Sequence, residues 1–256
     1  LNTASGQDFN GDGIQDWVVG APGTNSGVGQ AYIVYGNTTG LSSSFNISAL
    51  GSRPFSGMVL RGTVGDAYSN YIGYSVAGAG DVNGDALADI LVAAYGRSTT
   101  ARGVAHMVYG TNTSAAYLSS ELDLSTLDGQ DGFTMVSSEN AGSPVSSAGD
   151  VNGDGYADFL IGSYDAGSVS QGYAYLLYGN STENMPSSLV DLEADLGTPG
   201  GPNGVIFAGG LFEEAGYSVA GNFDINGDGL GDLAVGAPSG GTVGDSNGEV
   251  YVVFGQ

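Results

Sequence analysis

One nine-residue pattern occurs four times in this 256-residue chain, and its spacing limits the folds available. The copies are Asp8-Phe-Asn-Gly-Asp-Gly-Ile-Gln-Asp16, Asp81-Val-Asn-Gly-Asp-Ala-Leu-Ala-Asp89, Asp150-Val-Asn-Gly-Asp-Gly-Tyr-Ala-Asp158 and Asp224-Ile-Asn-Gly-Asp-Gly-Leu-Gly-Asp232. They start at residues 8, 81, 150 and 224, at intervals of 73, 69 and 74 residues. A long, nearly fixed period means a repeat architecture. Within each copy the oxygen-bearing side chains follow D-x-N-x-D-G-x-x-D. Alternate residues of a tight loop can face one centre. The Gly at the sixth position has no Cβ and tolerates the positive φ of a sharp turn.

Carboxylate, amide and carbonyl oxygens, with no nitrogen or sulfur, are the ligand set of a hard cation. We therefore expect about four Ca²⁺ ions, one per loop, in a structural role. The expected ligands are Asp8, Asn10, Asp12, Asp16 and the carbonyl of Ile14; Asp81, Asn83, Asp85, Asp89 and Leu87; Asp150, Asn152, Asp154, Asp158 and Tyr156; and Asp224, Asn226, Asp228, Asp232 and Leu230. The pattern is not an EF-hand, which needs a bidentate Glu at loop position twelve. Val19, Val92, Ile161 and Val235 stand there, inside apolar runs. Dockerin-like and thrombospondin-like calcium repeats share the D-x-N-x-D-G core but recur at much shorter intervals, and the β-rich sequence after each loop argues against dockerin helices.

Short strand-like runs flank each loop. Before it stand Ile72-Gly-Tyr-Ser-Val-Ala-Gly78, Ala215-Gly-Tyr-Ser-Val-Ala-Gly221 and Ala141-Gly-Ser-Pro-Val-Ser-Ser147; the first unit opens at Leu1, the position matching Tyr74. Pro144 lacks an N–H and implies an edge strand. After the loops come runs apolar on both faces, as in strands sandwiched between sheets. They are Asp16-Trp-Val-Val-Gly-Ala-Pro22, Ile90-Leu-Val-Ala-Ala-Tyr95, Phe159-Leu-Ile-Gly-Ser-Tyr164 and Leu233-Ala-Val-Gly-Ala-Pro238. A third strand follows at Ala31–Gly36, Ala105–Gly110, Ala174–Gly179 and Val250–Gly255. A fourth, half-exposed outer strand is expected at Ser44–Ile47, Glu121–Leu124 and Leu189–Leu192. The stretches Gly57–Gly62, Gly132–Val136 and Gly204–Ala208 are expected to cross over into the next unit. Four strands per unit, repeated about an axis, describe an all-β fold of β-propeller type. The units are approximately 1–56, 57–131, 132–203 and 204–256, forming a single domain whose last blade lacks its outer strand.

The run Ala215-Gly-Tyr-Ser-Val-Ala, then Asp224, Val235-Gly-Ala-Pro238 and Tyr251-Val-Val-Phe-Gly255, resembles the FG-GAP repeat of integrin α-subunit propellers and their bacterial relatives. The resemblance covers essentially the whole chain. It implies that each calcium loop joins the first and second strands of a blade, and that ligands bind loops at one face. This chain departs from the pattern at Ile72-Gly73, Ala141-Gly142 and Ala215-Gly216, where the family has an aromatic residue before Gly. Gly-Ala-Pro becomes Ala93-Ala-Tyr95 and Gly162-Ser-Tyr164 in the middle units. Ala86 replaces the loop Gly in the second unit; at positive φ an Ala costs about 1 kcal/mol, so the second site is expected to be the weakest. Family propellers have seven blades and this chain has four units. A closed four-bladed ring, a piece of a longer protein, and a strand added by a neighbouring chain are all open. The apolar faces an open arc would expose favour the closed ring.

Composition narrows the partners. The formal net charge is −23, with four Arg and no Lys. Four calcium ions leave the chain strongly anionic, which excludes nucleic acid and anionic membrane surfaces, both of which need Lys/Arg patches. No 18-residue apolar run offers membrane insertion. There is no cysteine. The first residue is Leu rather than Met, which fits a processed form or an excerpt. Loop sites of this kind fill at extracellular calcium levels, so we expect a secreted or cell-surface protein. His106 is the only histidine and reads as a packing residue; with no Cys and no second His, no zinc site or His dyad forms. Asp191, Glu193 and Asp195 read as a solvated face, and Trp17 as a packed blade residue. The sequons at Asn37, Asn46, Asn112 and Asn180 carry glycans only where the source glycosylates its secreted proteins.

The expected function is a calcium-binding extracellular adhesion or interaction module, not an enzyme, with a protein or glycan ligand at the cell surface. Two alternatives remain: the non-catalytic propeller of a secreted polysaccharide-active enzyme, and a structural protomer of a surface filament or layer that self-assembles through its incomplete last blade.

Overall fold

The computed structural model describes residues 2–38, 57–62, 71–95, 103–112, 121–137, 144–167, 169–187, 189–196, 203–241 and 247–256. These residues are all-β apart from single helical turns, and they build four sheets. The first holds β1 (Asn2–Gln7), β2 (Asp16–Ala21), β3 (Gln30–Val34) and β4 (Gly57–Arg61) in that order. The second holds β5 (Ile72–Gly80), β6 (Asp89–Ala94) and β7 (Gly103–Val108), followed in space by β9 (Gly132–Ser137). The third runs β10 (Val145–Gly149), β11 (Asp158–Ser163), β12 (Tyr173–Leu177) and β14 (Gly204–Ala208). The fourth has three strands, β15 (Ser218–Phe223), β16 (Asp232–Ala237) and β17 (Glu249–Val253). Strands β8 (Glu121–Asp123) and β13 (Val190–Asp191) add in parallel to the outer edges of β4 and β9. The expected first, second and third strands are therefore present in order, and β10 begins at the sheet edge one residue after Pro144, where the missing N–H takes nothing from the ladder.

The fourth strand corrects the sequence reading. The stretches taken as crossovers are the antiparallel outer strands β4, β9 and β14, paired with β3, β7 and β12. The segments expected as fourth strands at 121–124 and 189–192 instead supply β8 and β13, each hydrogen-bonded to the sheet before its own. Both kinds of segment are short and alternating, so their pairing partner is not readable locally. The strand expected at 44–47 and the sequon at Asn46 lie outside the described residues.

The sheets stack in series through alternating side chains. In β6, Ile90, Val92 and Ala94 pack toward the first sheet, while Leu91 and Ala93 pack toward the third. Both faces of this strand are buried, which is why it is apolar at every position. Leu233, Val235 and Ala237 of β16 pack on Leu160, Ala174 and Leu176 of the third sheet. The first strands lie side by side, β1 on β5, β5 on β10 and β10 on β15, with no comparable packing of β15 on β1 among the described residues. The free face of the fourth sheet leaves Val250 67% and Val252 45% exposed. The described residues thus form a series of sheets, and the closed four-membered ring favoured by the sequence is not seen among them. Trp17 differs from expectation for a related reason: beside the buried Val18, it is 52% exposed on the first sheet.

Candidate metal centres

Each nine-residue loop sits at the tip of the hairpin between the first and second strands of a sheet. A β-bulge precedes every loop, between Ser5 and Gln7, Gly78 and Gly80, Ser147 and Gly149, and Gly221 and Phe223. One extra residue at that point turns the chain out of the ladder and into the loop.

All four loops share one hydrogen-bond frame. The opening carboxylate accepts three amides: in the first loop, Gly11 at 2.7 Å and Asp12 at 3.2 Å on Asp8 Oδ1, and Gly13 at 2.7 Å on Oδ2. Asp81, Asp150 and Asp224 repeat this with distances from 2.6 to 3.1 Å. The Asn side chain accepts the amide of the middle Asp at 3.0 Å in every loop. Middle Asp12, Asp85, Asp154 and Asp228 accept the amides of Ile14, Leu87, Tyr156 and Leu230. The position after the middle Asp has positive φ throughout, +81° at Gly13, +91° at Gly155, +88° at Gly229 and +68° at Ala86. Ala86 is therefore strained, as the sequence comparison anticipated.

The closing carboxylates do something the sequence does not announce. Asp16, Asp89, Asp158 and Asp232 begin the second strands and are buried. One oxygen accepts the amide of the second loop residue: Phe9 at 2.9 Å, Val82 and Val151 at 2.8 Å, and Ile225 at 2.6 Å. The other accepts the amide of Gly36, Gly110, Gly179 or Gly255, just beyond the third strand. Each closing Asp therefore latches its loop to the third strand. A Cβ on Gly179 would stand 2.4 Å from the carbonyl oxygen of Ala157, and one on Gly110 2.5 Å from Leu87 Cβ. These glycines belong to the site, and their signal was the aromatic-Gly pair ending all four third strands. Neighbouring loops are also stitched together. Ala88, Ala157 and Gly231 donate their amides to the carbonyls of Asp8, Asp81 and Asp150, at 3.0, 2.9 and 2.7 Å.

Burial pushes the Asp89 and Asp158 carboxyls up to about 7, and the repulsion of the opening and middle acids adds to it, against the two amide bonds that favour ionisation. Asp16 is raised for the same reasons. Among the described residues, no three acidic side chains converge as they stand tightly enough to hold a metal. The donor set nevertheless fits a hard cation. An ionised carboxylate offers about four lone-pair sites; three are used on each opening Asp and two on each closing one. Lone pairs remain for an ion without dismantling the amide frame.

Other polar residues resolve into structure. His106 is buried in β7 with Nδ1 3.0 Å from Thr134 Oγ1. Glu193, expected on a solvated face, instead accepts hydrogen bonds from the Tyr175 and Ser137 hydroxyls and ties the third sheet to the second. Asp191 caps a helical turn through the Ala194 amide, and Asp195 accepts the amide of Asp191. At the end of the sheets away from the loops runs a row of tyrosines. Tyr74 stacks on Tyr95 with centroids 5.0 Å apart, the Tyr95 and Tyr164 hydroxyls are 3.1 Å apart, and Tyr164 lies 5.2 Å from Tyr217.

A strand–loop–strand unit with a terminal aromatic-Gly latch, repeated four times, defines the class, and sequence comparison agrees. The chain matches the FG-GAP repeat over residues 2–35, 72–118, 144–177 and 215–253, and it belongs to that family. Integrin alpha pat-2 of Caenorhabditis elegans is 28% identical over 251 residues, covering 92% of this chain and 17% of that protein. Integrin alpha-V of Gallus gallus is 27% identical over 233 residues, covering 90% of this chain and 19% of that protein. Phosphatidylinositol-glycan-specific phospholipase D of Bos taurus is 36% identical over 121 residues, covering 42% of this chain and 12% of that protein. The chain thus spans less than a fifth of the length of these curated relatives.

Proposed function

We propose that this chain is a run of β-propeller blades acting as a non-enzymatic, calcium-stabilised adhesion or interaction module, secreted or displayed at the cell surface. The observation that carries the reading is the fourfold identity of the loop frame at one hairpin tip of an FG-GAP sheet. In each loop the opening, middle and closing acids, the Asn and the carbonyl at the seventh position would hold Ca²⁺. When bound, the ion neutralises the clustered carboxylates. The amide frame fixes the loop backbone, and the closing Asp transmits that order to the third strand. The ligand, a protein or glycan, would bind at the opposite end, where the tyrosine row offers exposed aromatic faces on Tyr74 and Tyr217, about 20 Å along β5 from its loop.

The test is a thermal melt in Ca²⁺, in Mg²⁺ and in EDTA. A ligand that binds only the folded state adds about 2.7 kcal/mol per site at a hundredfold excess over Kd. A large, calcium-selective rise in Tm is expected. Indifference to calcium would leave the FG-GAP fold standing and overturn the role given to its acids. The phospholipase D similarity favours a second reading, in which these blades form the non-catalytic part of a secreted enzyme; hydrolysis of any glycan by this chain alone would count against both.

A further inference from the structure

Given the reading of the loops as Ca²⁺ sites, on which this rests, we propose that adjacent loops fill cooperatively. Leu87, Tyr156 and Leu230 are then positioning residues, each for the loop before its own. The grounds are three junctions of one design, between the first and second, second and third, and third and fourth loops.

At each junction the following loop covers the opening half of the preceding one. The side chain at its seventh position packs on the preceding loop's fourth-position glycine. A Cβ on Gly11 would lie 2.9 Å from Leu87 Cδ2, one on Gly84 would overlap Tyr156 Cε1, and one on Gly153 would lie 3.3 Å from Leu230 Cδ2. The residue after each latch glycine donates its amide to the carbonyl of the preceding loop's second residue: Thr111 to Phe9 at 3.0 Å, and Asn180 to Val82 and Gln256 to Val151 at 2.9 Å. Thr182 Oγ1 adds a bond of 3.1 Å to the carbonyl of Asn83.

Each junction also carries a line of hydrogen bonds from one cation position to the next. A trans peptide points its C=O and N–H in opposite directions. The unit between Leu87 and Ala88 has the carbonyl assigned to the second cation on one side. On the other, its N–H reaches the Asp8 carbonyl at 3.0 Å. The unit between Asp8 and Phe9 then donates its N–H to Asp16 Oδ2, on the closing acid of the first loop, at 2.9 Å. The same two steps lead from Tyr156 through Ala157, Asp81 and Val82 to Asp89, and from Leu230 through Gly231, Asp150 and Val151 to Asp158. A cation on the carbonyl polarises such a chain and strengthens each of its bonds. It also holds the seventh and eighth residues still against the loop before, which therefore loses less freedom when it fills. Repulsion between neighbouring ions opposes this, but a loop with three carboxylates stays anionic when filled. By linkage the effect runs both ways across a junction.

Tb³⁺, a hard cation read by its luminescence, tests this in the full chain. Trp17 is the one tryptophan and follows Asp16, so emission excited through it reports the first loop. Tb³⁺ should bind there and be displaced by Ca²⁺. Asp85→Asn disables the second loop. Leu87→Ala removes only the cover over Gly11. Each should raise the Tb³⁺ concentration that half-fills the first loop by about fivefold or more. Asp154→Asn, one loop further on, should shift it less than Asp85→Asn does. Leu87 is half-buried and its replacement alters no carboxylate, so this variant decides the matter if Asp85→Asn does not fold. In EDTA, Leu87→Ala should also speed amide exchange at Gly11 and Asp12, a readout that needs no cation. A first-loop curve unmoved by Leu87→Ala, one moved equally by Asp154→Asn, or unchanged exchange at Gly11 would overturn the coupling and leave the calcium reading standing. Absence of sensitised emission together with indifference to Ca²⁺ in the melt would overturn both.

Discussion

At the residue scale, the loops are governed by two backbone facts: where an L-residue must take positive φ, and where a buried carboxylate finds its amides. Ala86, at φ +68°, holds a conformation its three glycine counterparts adopt freely. Replacing it, Ala86→Gly, should raise stability by up to about 1 kcal/mol, since the relief of strain exceeds the added unfolded-chain entropy; a lower urea midpoint for the variant would contradict the account. If calcium fills the loops, the same change should strengthen the second site, which we expect to be the weakest. The raised Asp89 and Asp158 carboxyls set a pH dependence in the metal-free chain. Their folded pKa, about 7, lies above the unfolded value. The folded state therefore holds protons that the unfolded state has released, and stability is lost as pH climbs from the ordinary carboxylate range to about 7. Urea midpoints in EDTA should be higher at pH 5 than at pH 8. Saturating calcium favours the ionised forms and should reverse the order.

At the element scale, the working unit is the first hairpin together with the end of the third strand. The closing Asp joins the two, and the glycine after the third-strand aromatic lets them approach. Gly179→Ala puts a methyl 2.4 Å from the Ala157 carbonyl oxygen. Overpacking of this kind costs about 1–3 kcal/mol, and it should lower calcium affinity at the third loop along with Tm. Gly23→Ala, at a glycine with nothing within 4 Å of an added Cβ, is the control that should leave both unchanged. The loops, the strands that flank them and the apolar second and third strands were legible in the sequence because each is a local pattern repeated four times; the bulge before each loop was not. The fourth strands were not. Gly57–Arg61 and Glu121–Asp123 both read as short alternating runs, and only the register of β4 on β3 and β8 on β4 shows which is the outer strand and which the addition.

At the scale of the whole molecule, position in the series of sheets decides what equivalent residues contribute. Met107 in β7 is 0% exposed between the second and third sheets, while Val252, its counterpart in β17, faces outward. Met107→Ala should cost about 2–5 kcal/mol, and Val252→Ala less than about 1 kcal/mol, measured by urea denaturation of both variants. Equal losses would mean that the outer face of the fourth sheet is covered after all. The sequence by itself determined the repeat, the place and oxygen chemistry of the four loops, the need for glycine at the turns and the family, because each depends on residues near one another in the chain. Only the tertiary structure decided that the closing acids latch loop to strand, that the half-buried Glu193 accepts from hydroxyls of two sheets, that four tyrosines from three sheets form one row, and that Val250 and Val252 of the fourth sheet are exposed. Those outcomes depend on which strand lies beside which across dozens of residues, and a short alternating segment carries the same local pattern whichever neighbour it finally meets.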